Sequence, residues 1–419
     1  MKPLLLNTTD ISGGAARAAY RLHTGLKHIG VNSQMLVGKK FSDDPGVIGP
    51  LSKWARGFAR IYPTIDALPL LLYQREETAI FSPAILPDNL SSRVYALDPD
   101  LIHLHWIAGG FLRIETLHKF QKPVIWTLHD MWAFTGGCHY DYGCGRYRNE
   151  CGICPQLSSK RRYDLSRFVW RRKKKSWQNL EITFVTPSKW LAECAKSSSL
   201  FQNYRIVVIP NGLDINCFKP INKKTARNIL ALPPDKKLIL FGAERAAADK
   251  RKGFQYLAPA FKKLQNHGLH EEAELIVFGT SEPADSPEFG LKTRYMGILH
   301  DDVALALLYA AADVFVLTST QDNLPNTIME AFACGIPAVA FNVGGIPDMI
   351  EHKANGYLSN PLDSNDIANG ISWVLESPDR CNQLGIEARR KAVREYDIKL
   401  QAQLYADLYR EIAANNNVV

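Results

Sequence analysis

Two acidic residues, Asp322 and Glu330, stand eight positions apart in the sequence, between two short apolar runs. The runs at 313–317 and 338–341 predict buried parallel strands, and the segment 327–334 predicts the start of the helix between them. In an open α/β sheet, ligands bind at the loops that follow the carboxyl ends of such strands. The free amides at a helix N-terminus also suit a phosphate group. The pattern therefore predicts a site for a phosphate-bearing ligand.

The same stretch carries a family resemblance. The acid-x7-acid spacing and the string EAFACGIPAVAFNVGGIPD resemble the donor-nucleotide site of the family-4 retaining glycosyltransferases of GT-B fold. The strings DNLPNTIMEA and TLHDMWAFTGGC are similar to the colanic-acid and exopolysaccharide branch. The first acid of the family motif is usually Glu, whereas this chain has Asp322, which is one methylene shorter. The resemblance implies an α/β protein with two Rossmann-like domains facing across a cleft.

The implied reaction moves a sugar from a nucleotide-diphosphate sugar to a saccharide or lipid-linked saccharide, with retention at the anomeric carbon. Such an enzyme would act in exopolysaccharide, capsule or lipopolysaccharide biosynthesis. No cofactor is required, because basic residues and helix amides can balance the charge of the leaving diphosphate. We expect front-face substitution, since no residue in the sequence must be a covalent nucleophile.

The resemblance also implies roles for donor-site residues. Glu330 would accept hydrogen bonds from ribose hydroxyls, and Asp322 would hold hydroxyls of the donor sugar. Lys252 would lie on the diphosphate with an arginine, for which Arg245 is the nearest match and Arg251 a rival. Further contacts would come from the loop and first turn of the connecting helix and from glycine loops: Leu324, Asn326, Thr327, Gly344, Gly345, Gly13 and Gly14.

Two histidines lie at the C-terminal ends of neighbouring predicted strands, His105 within the run LIHLHW at 101–106 and His129 after Val124 to Leu128. A single histidine at a strand end is more often structural, but two that face one cleft favour a functional role. By resemblance, His129 matches the family histidine beside the transferred sugar. Near neutral pH, histidine is an apt hydrogen-bond donor to a sugar or to a developing charge.

Four cysteines, Cys138, Cys144, Cys151 and Cys154, follow in the spacing C-x5-C-x6-C-x2-C. Only the last pair has the spacing of a zinc knuckle. We consider three interpretations: a structural zinc site, reduced cysteines in a tight loop, and labile disulfides. A zinc ion held by four thiolates would be closed to substrate and would only stabilise the loop.

The segment KRRYDLSRFVWRRKKK at 160–175 is strongly basic and has Trp170 within it and Trp177 just after it. Such a segment is typical of contact with an anionic membrane or with nucleic acid, or of a solvated helix face. We favour the membrane, because the acceptor could be lipid-linked, and we expect no nucleic acid. The apolar segment 54–73 either covers the sheet, shapes an acceptor site or touches a membrane.

The chain has 419 residues, which is too long for one ordinary core and sufficient for two domains. We expect an acceptor-side domain at 1–209, a donor-binding domain at 210–396, and a C-terminal helix at about 397–415 that packs back on the first domain. No apolar run approaches the ~20 residues that span a bilayer. The apolar run at the start of the chain is too short for the hydrophobic region of a secretory signal. We therefore expect a cytoplasmic protein, at most at the inner face of the membrane.

Three alternative functions remain at the level of sequence. A nucleotide-sugar epimerase or a phosphorylase could share the GT-B fold. A nucleic-acid-binding protein could use the basic segment and the cysteines, although it would leave Glu330 and Lys252 unexplained. A catalytically inactive scaffold is suggested only by the aspartate at position 322.

Overall fold

The computed structural model describes residues 1–74, 80–242, 249–266, 271–282, 288–299 and 301–416. Its contacts divide the chain into two compact units. The first contains Met1–Asn211 together with Lys399–Val419, and the second contains Gly212–Ile398. Each unit is an α/β structure with one parallel sheet, which confirms the predicted fold class.

The first unit is built on a seven-stranded parallel sheet in the order β3-β2-β1-β4-β5-β6-β7. In β1, Leu4 and Leu6 pack into the core on one face of the sheet, while Leu5 packs into the core on the other. This alternation follows from the two-residue period of a strand, and burial of both faces explains the continuous apolar run. The strands are β1 (Pro3–Thr9), β2 (Gln34–Lys39), β3 (Val47–Ile48), β4 (Leu101–Leu104), β5 (Val124–Thr127), β6 (Ile182–Thr186) and β7 (Ile206–Val208).

Helices cover this first sheet on both faces. In α1, small and apolar residues recur every three or four positions and are buried, as the helical period requires. The last helix of the chain adds Tyr405, Leu408 and Tyr409 to the core beside Leu5. The helices of this unit are α1 (Gly14–His28), α2 (Lys53–Asp66), α3 (Leu90–Leu97), α4 (Leu165–Trp177), α5 (Lys189–Lys196) and, at the C-terminus, α13 (Ile398–Asn416).

The second unit is built on a six-stranded parallel sheet in the order β10-β9-β8-β11-β12-β13. Its strands are β8 (Lys237–Gly242), β9 (Ala273–Phe278), β10 (Lys292–Tyr295), β11 (Val314–Leu317), β12 (Ala338–Phe341) and β13 (Gly356–Ser359). Its helices are α6 (Lys223–Ile229), α7 (Leu257–Asn266), α8 (Asp302–Ala311), α9 (Asn326–Ala333), α10 (Ile346–Met349), α11 (Ser364–Leu375) and α12 (Pro378–Glu395).

The strand order of the second sheet reverses between β8 and β11. The chain passes from β8 to β9 and β10 on one side, and from β11 to β12 and β13 on the other. Connections on opposite faces leave a crevice at the carboxyl ends of the two central strands. The segments that follow β8 and β11 contain Lys252 and Asp322, so the fold itself brings these residues to one crevice.

No helix in the described ranges is both long enough and apolar enough to cross a membrane.

Candidate active site

The loop after β11 is organised around the side chain of Asp322, which is buried. Its Oδ2 accepts a hydrogen bond from Lys252 Nζ at 2.8 Å and from Ser319 Oγ at 3.2 Å. Arg251 Nη1 lies 3.3 Å from the same oxygen. Burial raises the pKa of Asp322, but the charges of Lys252 and Arg251 outweigh it and lower the pKa to about 2. Asp322 is therefore a permanent anion that two cations neutralise.

Lys252 is placed by the turn that precedes α7. Gly253 has a φ of +71°, and a Cβ at this position would lie 1.7 Å from the carbonyl oxygen of Thr318. Only glycine permits this approach, which is fixed by a 2.9 Å hydrogen bond from Thr318 Oγ1 to the Gly253 carbonyl. Burial lowers the pKa of Lys252, and the charge of Asp322 opposes that shift. The lysine is thus held at the end of β11 with its ammonium group on Asp322 Oδ2.

Arg251 and Lys252 have different roles. The Arg251 guanidinium donates to the carbonyl oxygen of Gln321 at 3.0 Å and to Asp249 at 3.1 Å, and its carbonyl oxygen accepts the amide of Thr320. These contacts tie it into the loop as a structural element. Arg245, the other candidate for contact with the diphosphate, lies outside the described residues.

The two glycines after β12, Gly344 and Gly345, pack against the loop that carries Asp322. Gly344 has a φ of +57°, and a Cβ there would lie 2.0 Å from the carbonyl oxygen of Asp322. The amide of Gly345 donates to that same oxygen at 3.0 Å. The structure therefore brings three predicted elements together at Asp322: the lysine turn, the loop after β11 and the glycine loop.

Glu330 lies within α9 and is buried, and its Oε2 accepts a hydrogen bond from Tyr309 Oη of α8 at 3.0 Å. The helix begins at Asn326, with Pro325 at its N-cap and no side-chain cap, so its first amides have no capping side chain. Thr327 lies in this first turn. The Leu324 side chain packs in the core, which leaves only its backbone for a ligand. Tyr309 was missed from the sequence, because it occurs in an apolar helical run with no motif around it.

In the first unit, the carboxyl ends of β4 and β5 carry two neighbouring histidines, His105, which is buried, and His129, which is half-buried. His105 Nδ1 lies 3.0 Å from His129 Nε2, and the two rings are stacked. Burial lowers the pKa of His129 to about 4, although Asp130 opposes this shift. His129 is therefore neutral at physiological pH and can share a single proton with a neighbour. The neighbouring Asp130 accepts hydrogen bonds from Trp106, Trp132 and His139.

The loop between β1 and α1 carries the predicted glycine pair. Gly13 adopts a φ of +94°, which favours glycine, and no atom lies within 4 Å of a Cβ placed there. Gly13 is the N-cap of α1, and Gly14 is its first residue, with no side-chain cap. The positive φ of Gly13 therefore accounts for a glycine at the start of this helix.

The four cysteines are free thiols, and all except the half-buried Cys144 are buried. Backbone amides donate to three of the sulfur atoms: Gly136 to Cys151, Arg146 to Cys144, and Gln156 and Leu157 to Cys154. Burial raises the pKa of Cys151 to about 12 and that of Cys154 to about 11. Within the described ranges, no group of three His, Cys, Asp or Glu side chains is arranged to hold a metal ion. Zinc in this loop stays a proposal that elemental analysis of the purified protein tests.

The basic segment differs from its sequence-based interpretation. Trp170 and Trp177 are buried in the core of the first unit and cannot anchor the protein to a membrane. Arg172 forms an ion pair with Glu115 at 2.7 Å, and Lys173 is buried with its ammonium group on the carbonyl oxygens of Trp132 and Thr135. Two of the nine basic residues, Arg167 and Lys173, are therefore buried in the fold, whereas six stay exposed: Lys160, Arg161, Arg162, Arg171, Lys174 and Lys175.

Comparison with known proteins agrees with this architecture. Residues 12–216 match the family model Glycosyltransferase Family 4, and residues 222–391 match Glycosyl transferases group 1. An uncharacterised glycosyltransferase of Methanocaldococcus jannaschii is 28% identical over 67% of this chain and 75% of that protein. WcaC of Escherichia coli, assigned as a glycosyl transferase of colanic acid biosynthesis, is 25% identical over 62% of this chain and 63% of its own length.

A third relative, the UDP-Gal:alpha-D-GlcNAc-diphosphoundecaprenol alpha-1,3-galactosyltransferase of Escherichia coli, is 25% identical over 50% of this chain and 55% of its own length. The chain likewise spans about half the length of the D-inositol 3-phosphate glycosyltransferases that it matches, 50% in each of two cases. These partial matches leave the individual substrates open.

Solved structures share the fold. Sucrose-phosphate synthase from Thermosynechococcus elongatus superposes with a TM-score of 0.70 and 21% identity, over 99% of this chain and all of that one (100%). HepE from Anabaena, solved in complex with UDP-glucose, superposes with a TM-score of 0.66 and 18% identity, over 98% of this chain and 100% of that one. With two parallel-sheet α/β units and these two domain matches in order, the chain is a glycosyltransferase of GT-B fold, a Glycosyltransferase Family 4 domain followed by a Glycosyl transferases group 1 domain.

Proposed function

We propose that this protein transfers a sugar from a nucleotide-diphosphate sugar to a saccharide or lipid-linked saccharide, with retention, in the synthesis of an exopolysaccharide or related surface glycan. The observation that carries the proposal is the ion pair between Lys252 and the buried Asp322 at the crevice of the second sheet, beside the N-terminus of α9, which has no side-chain cap. The pair positions a cation beside the N-terminal turn of this helix, where a diphosphate fits.

The charge balance of this site suits a leaving diphosphate. Asp322 neutralises part of the charge of Lys252 and Arg251 while the site is free, so the cations can be buried. A bound diphosphate would bring further negative charge, which Lys252 and the first amides of α9 would stabilise as the glycosidic bond breaks. Asp322 is one methylene shorter than the usual glutamate, and its Oδ2 is already committed to Lys252. We therefore infer that Asp322 contributes to donor binding mainly by positioning this lysine against the diphosphate.

The proposal also assigns roles to two other predicted residues, Glu330 and His129. Glu330, fixed by Tyr309, would accept hydrogen bonds from both ribose hydroxyls. His129, neutral because of its burial, would donate a hydrogen bond to the transferred sugar. Neither role requires a metal ion or a covalent nucleophile.

The relatives indicate which donors and acceptors to examine first. HepE was solved with UDP-glucose, and one Escherichia coli relative is named for a UDP-galactose donor and a diphosphoundecaprenol-linked acceptor. We therefore propose a UDP-sugar as the donor and a polyprenyl-diphosphate saccharide as the first acceptor to test. The colanic-acid relative favours exopolysaccharide synthesis over a nucleotide-sugar epimerase.

The test is a donor screen by calorimetry and by slow release of the nucleotide, with UDP-, GDP-, ADP- and dTDP-sugars. We expect one donor to bind the wild type, and Glu330→Gln to weaken that binding at least about tenfold, because a bidentate charge-assisted acceptor is lost. Glu376→Ala, which removes an exposed carboxylate from the same unit, serves as the control and should bind as the wild type does. If no donor binds the folded wild type, the proposal is wrong.

A further inference from the structure

His105 and His129 form a hydrogen-bonded pair in which one ring is more deeply buried than the other. His105 Nδ1 lies 3.0 Å from His129 Nε2, and the two rings are stacked. His105 is 3% exposed, whereas His129 is half-buried just after β5. Of this pair, only His129 is exposed enough to meet a sugar, so His105 can act on a ligand only through His129.

The ring of His105 is held in place by packing. The centre of the His103 ring lies 4.2 Å from the centre of the His105 ring. His103 is itself fixed at both nitrogens, because its Nδ1 lies 2.7 Å from Tyr409 Oη and its Nε2 lies 2.7 Å from Thr127 Oγ1. His105 therefore packs against a fixed ring as well as against His129, which keeps its Nδ1 directed at His129.

The hydrogen bond between the two rings contains one proton, and the second nitrogen of His105 indicates which ring supplies it. Burial holds the pKa of His105 well below its usual range, so this ring is neutral and carries one N–H and one acceptor nitrogen. Its Nε2 is buried and has no hydrogen-bond partner among the described residues. Buried N–H groups without an acceptor are rare in proteins, so the hydrogen-bond network places the proton on Nδ1.

This assignment determines which nitrogen of His129 can donate to a ligand. The Nδ1–H of His105 donates to Nε2 of His129, which is therefore an acceptor nitrogen. His129 is also neutral, since burial lowers its pKa to about 4, and its one proton lies on Nδ1. Because His105 occupies Nε2, a sugar can be reached only through Nδ1, and this is the nitrogen that carries the proton.

We infer that His105 is a positioning residue for sugar transfer, which holds His129 in the Nδ1–H tautomer so that His129 donates a hydrogen bond to the transferred sugar. The inference rests on the proposed function and adds to it the nitrogen that donates and the residue that selects this nitrogen. With the proton on Nε2, His129 would present a lone pair to the sugar and could not donate to a hydroxyl oxygen.

The direct test is long-range proton–nitrogen correlation NMR of the wild type with isotope-labelled histidine, at neutral pH and without ligand. His129→Gln and His105→Asn identify the signals of the two rings by their loss. We expect both His129 and His105 to show a protonated Nδ1 and an unprotonated Nε2. Protonation of His129 at Nε2, or exchange between the two tautomers, would overturn the inference. This measurement needs no donor, so its failure is distinct from a failure of the proposed sugar transfer.

Two substitutions test the role of His105 in turnover. His105→Leu removes the N–H donor at a similar volume, whereas His105→Asn keeps an amide N–H near the position of Nδ1. With UDP-glucose, we expect kcat for the release of UDP to fall at least about tenfold in His105→Leu and to recover in His105→Asn. The affinity for UDP alone should stay the same in both variants, because Lys252 and Glu330 belong to the second unit.

The matched control is His118→Leu, which replaces an exposed histidine of the same unit and should behave as the wild type in both assays. An unchanged kcat in His105→Leu, or a loss that His105→Asn does not reverse, would contradict the positioning role. Tryptophan fluorescence shows whether the first unit of each variant is folded. If His105→Leu does not fold or UDP-glucose is not a substrate, the tautomer measured in the wild type decides the inference by itself.

Discussion

At the scale of single residues, the site is defined by contacts that cross long stretches of sequence. Lys252 and Asp322 were each assigned to the donor site from a family resemblance, but their 2.8 Å ion pair was not predicted. Such a contact depends on the order of strands in the sheet, and strand order cannot be read from apolar runs. Gly344 illustrates the same point, because its fit against the Asp322 carbonyl appears only in three dimensions.

The pKa of Asp322 leads to a prediction about acid stability. Its folded pKa of about 2 lies below the value of about 3.9 for an unfolded aspartate, so the folded state is favoured by about 2.5 kcal/mol above the unfolded pKa. This stabilisation is lost as the pH falls from about 4 through about 2. Asp322→Asn should therefore lower the free energy of unfolding of the second unit by about 2–3 kcal/mol at neutral pH, measured by urea unfolding.

The difference in the free energy of unfolding between Asp322→Asn and the wild type should become smaller as the pH is lowered toward the folded pKa of about 2. Asp379→Asn, an exposed carboxylate of the same unit, should leave the unfolding curve unchanged at every pH. If this difference in the free energy of unfolding stayed the same at acidic pH, Asp322 would contribute by packing and not by its charge.

At the scale of elements, the sequence predicted strands better than the roles of helices. Buried parallel strands are continuous apolar runs, so β4, β5, β11 and β12 were predicted. The role of helix α4 was not predicted, because six of its thirteen residues are basic, while its buried face includes Leu165, Val169, Trp170 and Trp177. A basic segment with tryptophans can thus be a binding surface or a helix with one buried face, and only the position of the sheet decides between these two structures.

The helix α13 offers an element-scale prediction. Tyr409 Oη lies 2.7 Å from His103 Nδ1, and Tyr405 Oη lies 2.7 Å from Thr127 Oγ1, whose hydroxyl also contacts His103 Nε2. Tyr409→Phe would leave the buried Nδ1 of His103 without its partner, which costs about 1–3 kcal/mol. We expect this loss in denaturant unfolding followed by tryptophan fluorescence.

The matched control for that helix is Tyr95→Phe, which removes an exposed hydroxyl from the same unit and should change stability by less than about 0.5 kcal/mol. If Tyr409→Phe proves as harmless as the control, the hydroxyl does not help to hold α13 on the sheet.

At the scale of the whole molecule, the two units have separate apolar cores. The clusters around Leu4 and Leu5 contain only residues of the first unit, and those around Leu238 and Ile239 contain only residues of the second. Each unit therefore has what an independently cooperative domain needs. Every tryptophan except Trp373 belongs to the first unit, so fluorescence reports mainly on that unit.

These facts predict how a bound nucleoside diphosphate changes unfolding. The diphosphate and ribose of the proposed donor contact Lys252, Glu330 and α9 in the second unit, and UDP alone lacks the sugar assigned to His129. UDP at about 100 times its Kd should therefore stabilise the second unit by about 2.7 kcal/mol. In calorimetry we expect one of two transitions to move upward with UDP, while the fluorescence transition of the first unit stays in place. Glu330→Gln should abolish the shift at the same UDP concentration. If UDP raised the fluorescence transition equally, this assignment would be contradicted, since the nucleotide would then stabilise both units together.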